Sequence, residues 1–167
     1  RFERVDIEQL YREHSVSLFR YTLRLTGDAD RAADIVQTAF MRLVQRPPRD
    51  ERIRSWLFRV ATNTAFDQTR ARQRHTRLLN ALPTGASTGD APRDPAHAAA
   101  QNDERRRVRA ALERLPIRDR TVLLMRAEGF AHREIAAAVG SSTRAIGVTI
   151  LRALKKLERE LRQDSVT

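Results

Sequence analysis

Apolar side chains recur every three or four residues along most of this chain, and each recurrence reads as one face of a helix. From Asp6 to Leu25 the repeat runs Ile7, Leu10, Tyr11, Val16, Leu18, Tyr21 and Leu25, with Asp6 placed to cap its start and Gly27 to end it. His14, among polar neighbours, reads as a surface residue. Asp28 restarts the chain, and Ala32, Ile35, Val36, Ala39, Phe40, Leu43 and Val44 form a second stripe closed by Pro47-Pro48. Arg49-Asp50-Glu51 is expected to open a third helix with the stripe Ile53, Trp56, Leu57, Val60, Ala61 and Thr64. The period then stops. Residues 79–103 are rich in Gly, Pro, Ser, Thr and Ala, which predicts a flexible linker.

Beyond it, Val108, Ala111, Leu112 and Leu115 form a stripe ended by Pro116. Asp119 is placed to cap the next helix, with Val122, Leu123, Leu124 and Met125 inside and Gly129 past its end. Ile135, Ala136 and Val139 then make a short apolar face that stops at Gly140, where a left-handed cap needs no β-carbon. Ser141 and Ser142 can accept hydrogen bonds from the free N–H groups of a further helix, with Ile146, Ile150 and Leu151 inward and continuing through Leu154, Leu157 and Leu161. Lys155, Lys156, Arg159 and Arg162 point outward. Two small helices joined by a tight polar turn, with a basic outer surface, read as a helix-turn-helix. The pattern predicts an all-α chain of two small helical domains, 1–78 and 104–167, joined by a linker over 79–103.

Charge sharpens that picture. Among 167 residues, 32 Lys and Arg stand against 21 Asp and Glu, a formal charge of +11, which predicts affinity for polyanions and nucleic acid foremost. A membrane surface is the competing polyanion, but no apolar run is long enough to span a bilayer and no signal peptide is evident, so a cytoplasmic protein that is not membrane-inserted is expected. A first residue other than Met reads as a trimmed chain. Cysteine is absent, which excludes disulfides and Cys-based zinc. The histidines at 14, 75, 97 and 132 are scattered, with no metal-ligand spacing, no Gly-rich phosphate loop and no GxSxG elbow, so no enzyme, metal, cofactor or small-molecule substrate is expected. After Asp67 come Arg70, Arg72, Arg74, His75 and Arg77 with no further acid. They fit either a solvated helix end favoured by the helix dipole or a surface that follows phosphates.

Three motifs in order carry a family resemblance. The first is Asp34-Ile35-Val36-Gln37-Thr38-Ala39-Phe40. The second is Trp56-Leu57-Phe58-Arg59-Val60-Ala61-Thr62-Asn63, followed by Asp67. The third is Leu115-Pro116 with Arg120, then Glu128-Gly129-Phe130, Glu134-Ile135-Ala136 and Arg152-Ala153. Over roughly residues 6–77 and 101–163 the chain resembles a bacterial sigma factor of the extracytoplasmic-function group of the sigma-70 family. The resemblance implies that it binds core RNA polymerase and promoter DNA, directs transcription initiation without catalysis of its own, and is held by an anti-sigma partner.

It also implies roles. Asp34, Gln37 and Arg42 would dock on the polymerase, while Phe40 belongs to the core. The loop before the third helix, with Arg49 and Asp50, and then Asn63, Asp67, Arg70, Arg72 and Arg74, would read and open the minus-ten element, which needs a pocket for an unstacked base and cations along one strand. Trp56 lies on the apolar stripe and is expected in the core rather than as a stacking platform; Ile53 and Arg54 stand where the family often carries a further aromatic. Ser142, Thr143, Arg144, Gly147, Val148, Thr149, Arg152 and Lys155 would meet the minus-thirty-five element, with arginine able to pair with guanine bidentately and Ser or Thr with phosphates. Gly147 stands where the family usually carries a basic or polar residue, so Gly147→Arg is expected to strengthen or redirect that contact. A stand-alone dimeric regulator would leave the Asp34/Gln37 helix unexplained, a basic nuclease would lack metal ligands, and an adaptor for an acidic protein would not need promoter DNA.

Overall fold

The computed structural model describes residues 6–81 and 101–163, arranged as seven helices: α1 (Ile7–Thr26), α2 (Ala29–Gln45), α3 (Ile53–Asn80), α4 (Gln101–Arg114), α5 (Ile117–Ala127), α6 (His132–Val139) and α7 (Thr143–Gln163). Most of the expected linker, residues 82–100, lies outside the described residues. Its expected ends do not: residues 79 and 80 finish α3, and 101–103 begin α4.

Local chemistry sets the first turns as expected. Asp6 accepts from the Glu8 and Gln9 N–H groups, and Gly27, at φ +70°, donates its N–H to Leu23 O at 2.8 Å. One residue later Asp28 accepts from Asp30 and Arg31. Two caps back to back make the connection short, and α2 folds back on α1. The third helix starts later than expected. Residues 49–51 form a bend, Arg52 is the N-cap, and the Glu51 carboxylate reaches forward to Arg59 (2.6 and 3.2 Å) instead of to the free amides of α3. That pairing raises the Arg59 pKa against the opposing effect of burial. Nor is Asp119 a cap: α5 begins behind Pro116, and Asp119 pairs with Lys156 of α7, so Lys156 is not simply outward.

The stripes hold in their centres and fail at their edges. Leu18, Tyr21, Leu25, Ile35, Ala39, Phe40, Leu43, Trp56 and Leu57 are buried, whereas Tyr11, Val16, Val44, Leu151 and Leu154 are exposed. His14 is buried rather than on the surface, packed on the inner side of α1.

The two halves share one continuous core. Phe58, fully buried on α3, has its ring centroid 4.9 Å from that of Tyr21 on α1 and 4.8 Å from that of Phe130 in the α5–α6 turn. Thr62 donates to Phe58 O, which leaves the Tyr21 hydroxyl to donate to Thr62 Oγ1 at 2.7 Å. Burial pushes the Tyr21 phenol well above its ordinary range. Arg54 lays its guanidinium 4.3 Å from the Phe130 centroid and donates to the carbonyl and carboxylate oxygens of Glu128 at 3.1 and 3.2 Å. Ser55 donates to Glu134, whose other oxygen accepts from the Ala131 N–H at 2.8 Å. Burial raises the Glu134 pKa, but these hydrogen bonds and the nearby Arg133 and Arg52 outweigh it and hold the carboxyl below its usual range. Arg120 ties the far edge, donating to Leu112 O, Glu113 O and Leu115 O on its own half and to Leu25 O at 2.6 Å across the junction. Partial burial is the main reason its pKa is lowered.

Candidate nucleic-acid interface

α6 and α7 form the expected helix-turn-helix. Gly140 closes α6 at φ +66°, and Ser142 Oγ accepts from the Ala145 N–H at 3.3 Å at the head of α7. With 100° per residue, Arg144, Gly147, Val148, Leu151, Arg152 and Lys155 fall on one side of α7, opposite the buried Ile146, Ile150 and Ala153. Ser142, Thr143, Arg144, Val148, Arg152 and Lys155 are exposed on this outer side and at its leading edge, as a helix laid in a major groove requires. Thr149 sits off this face, and its hydroxyl donates to Ala145 O at 2.9 Å, so it is not a free donor for a phosphate. A β-carbon at Gly147 would meet only His132 Cε1 at 3.9 Å, an ordinary contact. Gly147→Ala is therefore expected to stabilise the chain by about 1 kcal/mol, seen as a higher melting temperature; a drop would mean the surroundings of Gly147 cannot hold a methyl group.

The residues expected at the minus-ten element divide. Arg49 and Asp50 stand exposed in the bend before α3, about 15 Å of helix away from Asn63. Asn63, Asp67, Arg70 and Arg74 share one exposed face of α3. Arg72 lies on the opposite side, 3.6 Å from Asp28, an acidic neighbour that stands 44 positions away in the sequence.

On α2, Asp34 and Gln37 are exposed beside Met41 and Val44, on the side away from the buried Ile35, Ala39 and Leu43. Arg42 is exposed too, but a quarter-turn round the helix from Met41. Between this face and α1 runs an apolar groove of about 880 Å³ lined by Tyr11, Val16, Phe19, Gln37, Met41 and Val44 among others. Helical period alone puts Tyr11, Val16 and Val44 in the core and passes over Met41. An unbroken period cannot say whether an apolar face is covered by its own chain or by another. The same ambiguity hides the exposure of Leu151.

No group of three or more His, Cys, Asp or Glu among the described residues is arranged to hold a metal ion. No described helix is long and apolar enough to cross a membrane.

Residues 10–75 match Sigma-70 region 2 and residues 105–157 match Sigma-70, region 4. The chain is 38% identical over 114 residues to the ECF RNA polymerase sigma factor SigL of Mycobacterium tuberculosis; that match covers 66% of the chain and 57% of SigL, so the chain spans little more than half the relative's length. It is 32% identical over 163 residues to the RNA polymerase sigma-E factor of Streptomyces coelicolor, covering 95% of the chain and 88% of the relative. Among solved structures, the sigma factor RpoE in complex with the anti-sigma factor NepR from Bartonella quintana superposes with a TM-score of 0.70 at 23% identity, covering 94% of this chain and 97% of that one. CnrH in complex with the cytosolic domain of CnrY superposes at 0.68 and 24% identity, covering 98% and 92%. At these identities the structures support the fold.

Proposed function

This chain belongs to the extracytoplasmic-function branch of the sigma-70 family, and on that premise we propose that it binds core RNA polymerase and directs initiation at specific promoters. The N-terminal domain, through the end of α3, acts as region 2, and the C-terminal domain, from α4 onward, acts as region 4. The observation that carries the reading is the pairing of two unlike exposed faces on one small fold. One is the basic outer side of α7, suited to a major groove; the other is the α1–α2 groove, which Gln37 lines and beside which Asp34 is exposed on α2, suited to a helix of a protein partner. Arg144, Val148, Arg152 and Lys155 meet the minus-thirty-five element, with Ser142 and Thr143 at the phosphates. Asn63, Asp67, Arg70 and Arg74, with the bend at Arg49 and Asp50, meet the minus-ten element. Asp34 and Gln37, with Arg42 at the margin, meet the polymerase. The protein acts by binding and carries out no catalysis itself, in the cytoplasm where the polymerase works. A sigma factor bound to an anti-sigma factor among the similar structures supports an anti-sigma partner here as well.

In vitro transcription with core polymerase over a genomic library tests this. The expected result is a set of start sites sharing one spaced pair of upstream elements. No binding to core polymerase, or start sites identical to those of core alone, would overturn it.

A further inference from the structure

Gly147 is a glycine that the fold does not require. Its φ is not positive, unlike those of Gly27, Gly129 and Gly140, and a β-carbon there would meet only His132 Cε1 at 3.9 Å. Inside a helix it is nonetheless less favourable than alanine. Its effect is to uncover Leu151. Residues four apart stand one above the other on a helix, and Cα–Cβ bonds tilt toward the N-terminus, so Leu151 leans over the turn that holds Gly147, where there is no side chain to cover it. Leu151 is 61% exposed, and Val148, three residues before it, is 51% exposed. Together they form a small apolar notch in a face that is otherwise cationic. Arg144 stands about one turn before Val148, Arg152 one turn after it, and Lys155 one turn after Leu151, all exposed. Leu154, also exposed, lies about 120° round from Val148 and outside the notch.

The occupant of such a notch must carry a small apolar group on a polyanion. Thymine does: its 5-methyl group stands on the major-groove edge of the base pair, where no other base of DNA carries one. A protein partner fits less well, because a stable interface covers roughly 800 Å² on each side, and the apolar surface here is two side chains set between cations. We propose that Val148 and Leu151, beside the bare position at Gly147, hold the 5-methyl group of one thymine in the minus-thirty-five element. Arg144 precedes Val148 by four residues, about 6 Å along the helix, so this thymine stands within roughly two base pairs of the base that Arg144 meets. The inference rests on the reading of α7 as the minus-thirty-five helix. It gives roles to Leu151 and Gly147, which that reading leaves without one.

The test uses holoenzyme assembled from the full chain and core polymerase, with a fluorescent duplex of the promoter it selects. Thymines of the upstream element, on both strands, are replaced one at a time by deoxyuridine, which removes the methyl group and keeps the base pair. The expected result is a loss of about fourfold in wild-type affinity at one thymine, the worth of one buried methyl group. The variant Val148→Ala/Leu151→Ala, with the helix propensity of α7 preserved, should bind the thymine and deoxyuridine duplexes equally at that position. No loss at any thymine in the wild type would overturn the proposal, as would a selected element with no T·A pair within reach of Arg144. An equal loss in wild type and variant would also overturn it, because the methyl group would then act through the shape of the DNA. Failure of the variant to assemble with core polymerase, at wild-type circular dichroism, would give the notch to a protein and overturn it too. If the wild-type holoenzyme selects no promoter, the sigma reading fails and the DNA ligand with it; if it selects one and the deoxyuridine scan is flat, only the notch fails.

Discussion

Phe58→Ala is expected to cost the fold about 3–5 kcal/mol and to lower the melting temperature by about 10 °C. The side chain is fully buried, and its ring meets Tyr21 from one half and Phe130 from the other, so truncation leaves a cavity that two rigid halves line from opposite sides. Neither half can close the gap without breaking the hydrogen bonds that fix it: Thr62 donates to the carbonyl of residue 58, and Arg54 stays bound to Glu128. Thermal unfolding followed by circular dichroism checks the loss. A change below about 1 kcal/mol would mean that the halves part easily and that Phe58 packs equally well without Phe130.

The second large effect concerns the polymerase face. Val16→Asp combined with Met41→Asp is expected to weaken binding to core polymerase at least 100-fold, about 2.7 kcal/mol, while leaving the melting temperature of the free chain within a few degrees. Val16 is 57% exposed and Met41 54% exposed, so in the free protein both carboxylates remain in water. Only when a partner covers the α1–α2 groove must two unpaired charges be buried, and that is costly. Competition against wild-type chain for labelled core polymerase gives the ratio directly. Retained affinity would move the docking face off this groove and onto the polar residues Asp34 and Gln37 alone.

What can be read in the sequence is what chain neighbours decide. Asp6, Gly27, Asp28 and Gly140 act within three or four residues of themselves, and all four stand where expected, at helix ends. Period alone puts Trp56 and Phe40 in the core, where they are. It says nothing about Phe58, which departs from the stripe drawn through Trp56 and Leu57 and finds its partner 72 residues later in Phe130. Arg54 looks in the sequence like a polar position near the minus-ten loop, yet its guanidinium bridges the two halves. Arg120 belongs to a motif, but its reach to Leu25 O depends on how α5 meets α1. In the candidate sites, exposure of the polar residues follows from the stripes. The division of the arginines is legible too: residues 70, 72 and 74 alternate along the sequence, and alternate residues of a helix lie 200° apart.

Trp56, the chain's single tryptophan, lies in the core of the N-terminal half. Its emission therefore reports on α1–α3 directly and on α4–α7 only as far as the halves unfold together. The shared packing of Tyr21, Phe58 and Phe130 makes them one cooperative unit, so the fluorescence and far-ultraviolet dichroism transitions of the wild type should coincide. A chain assembled from two separately matched segments thus carries its own optical reporter of whether they still behave as one.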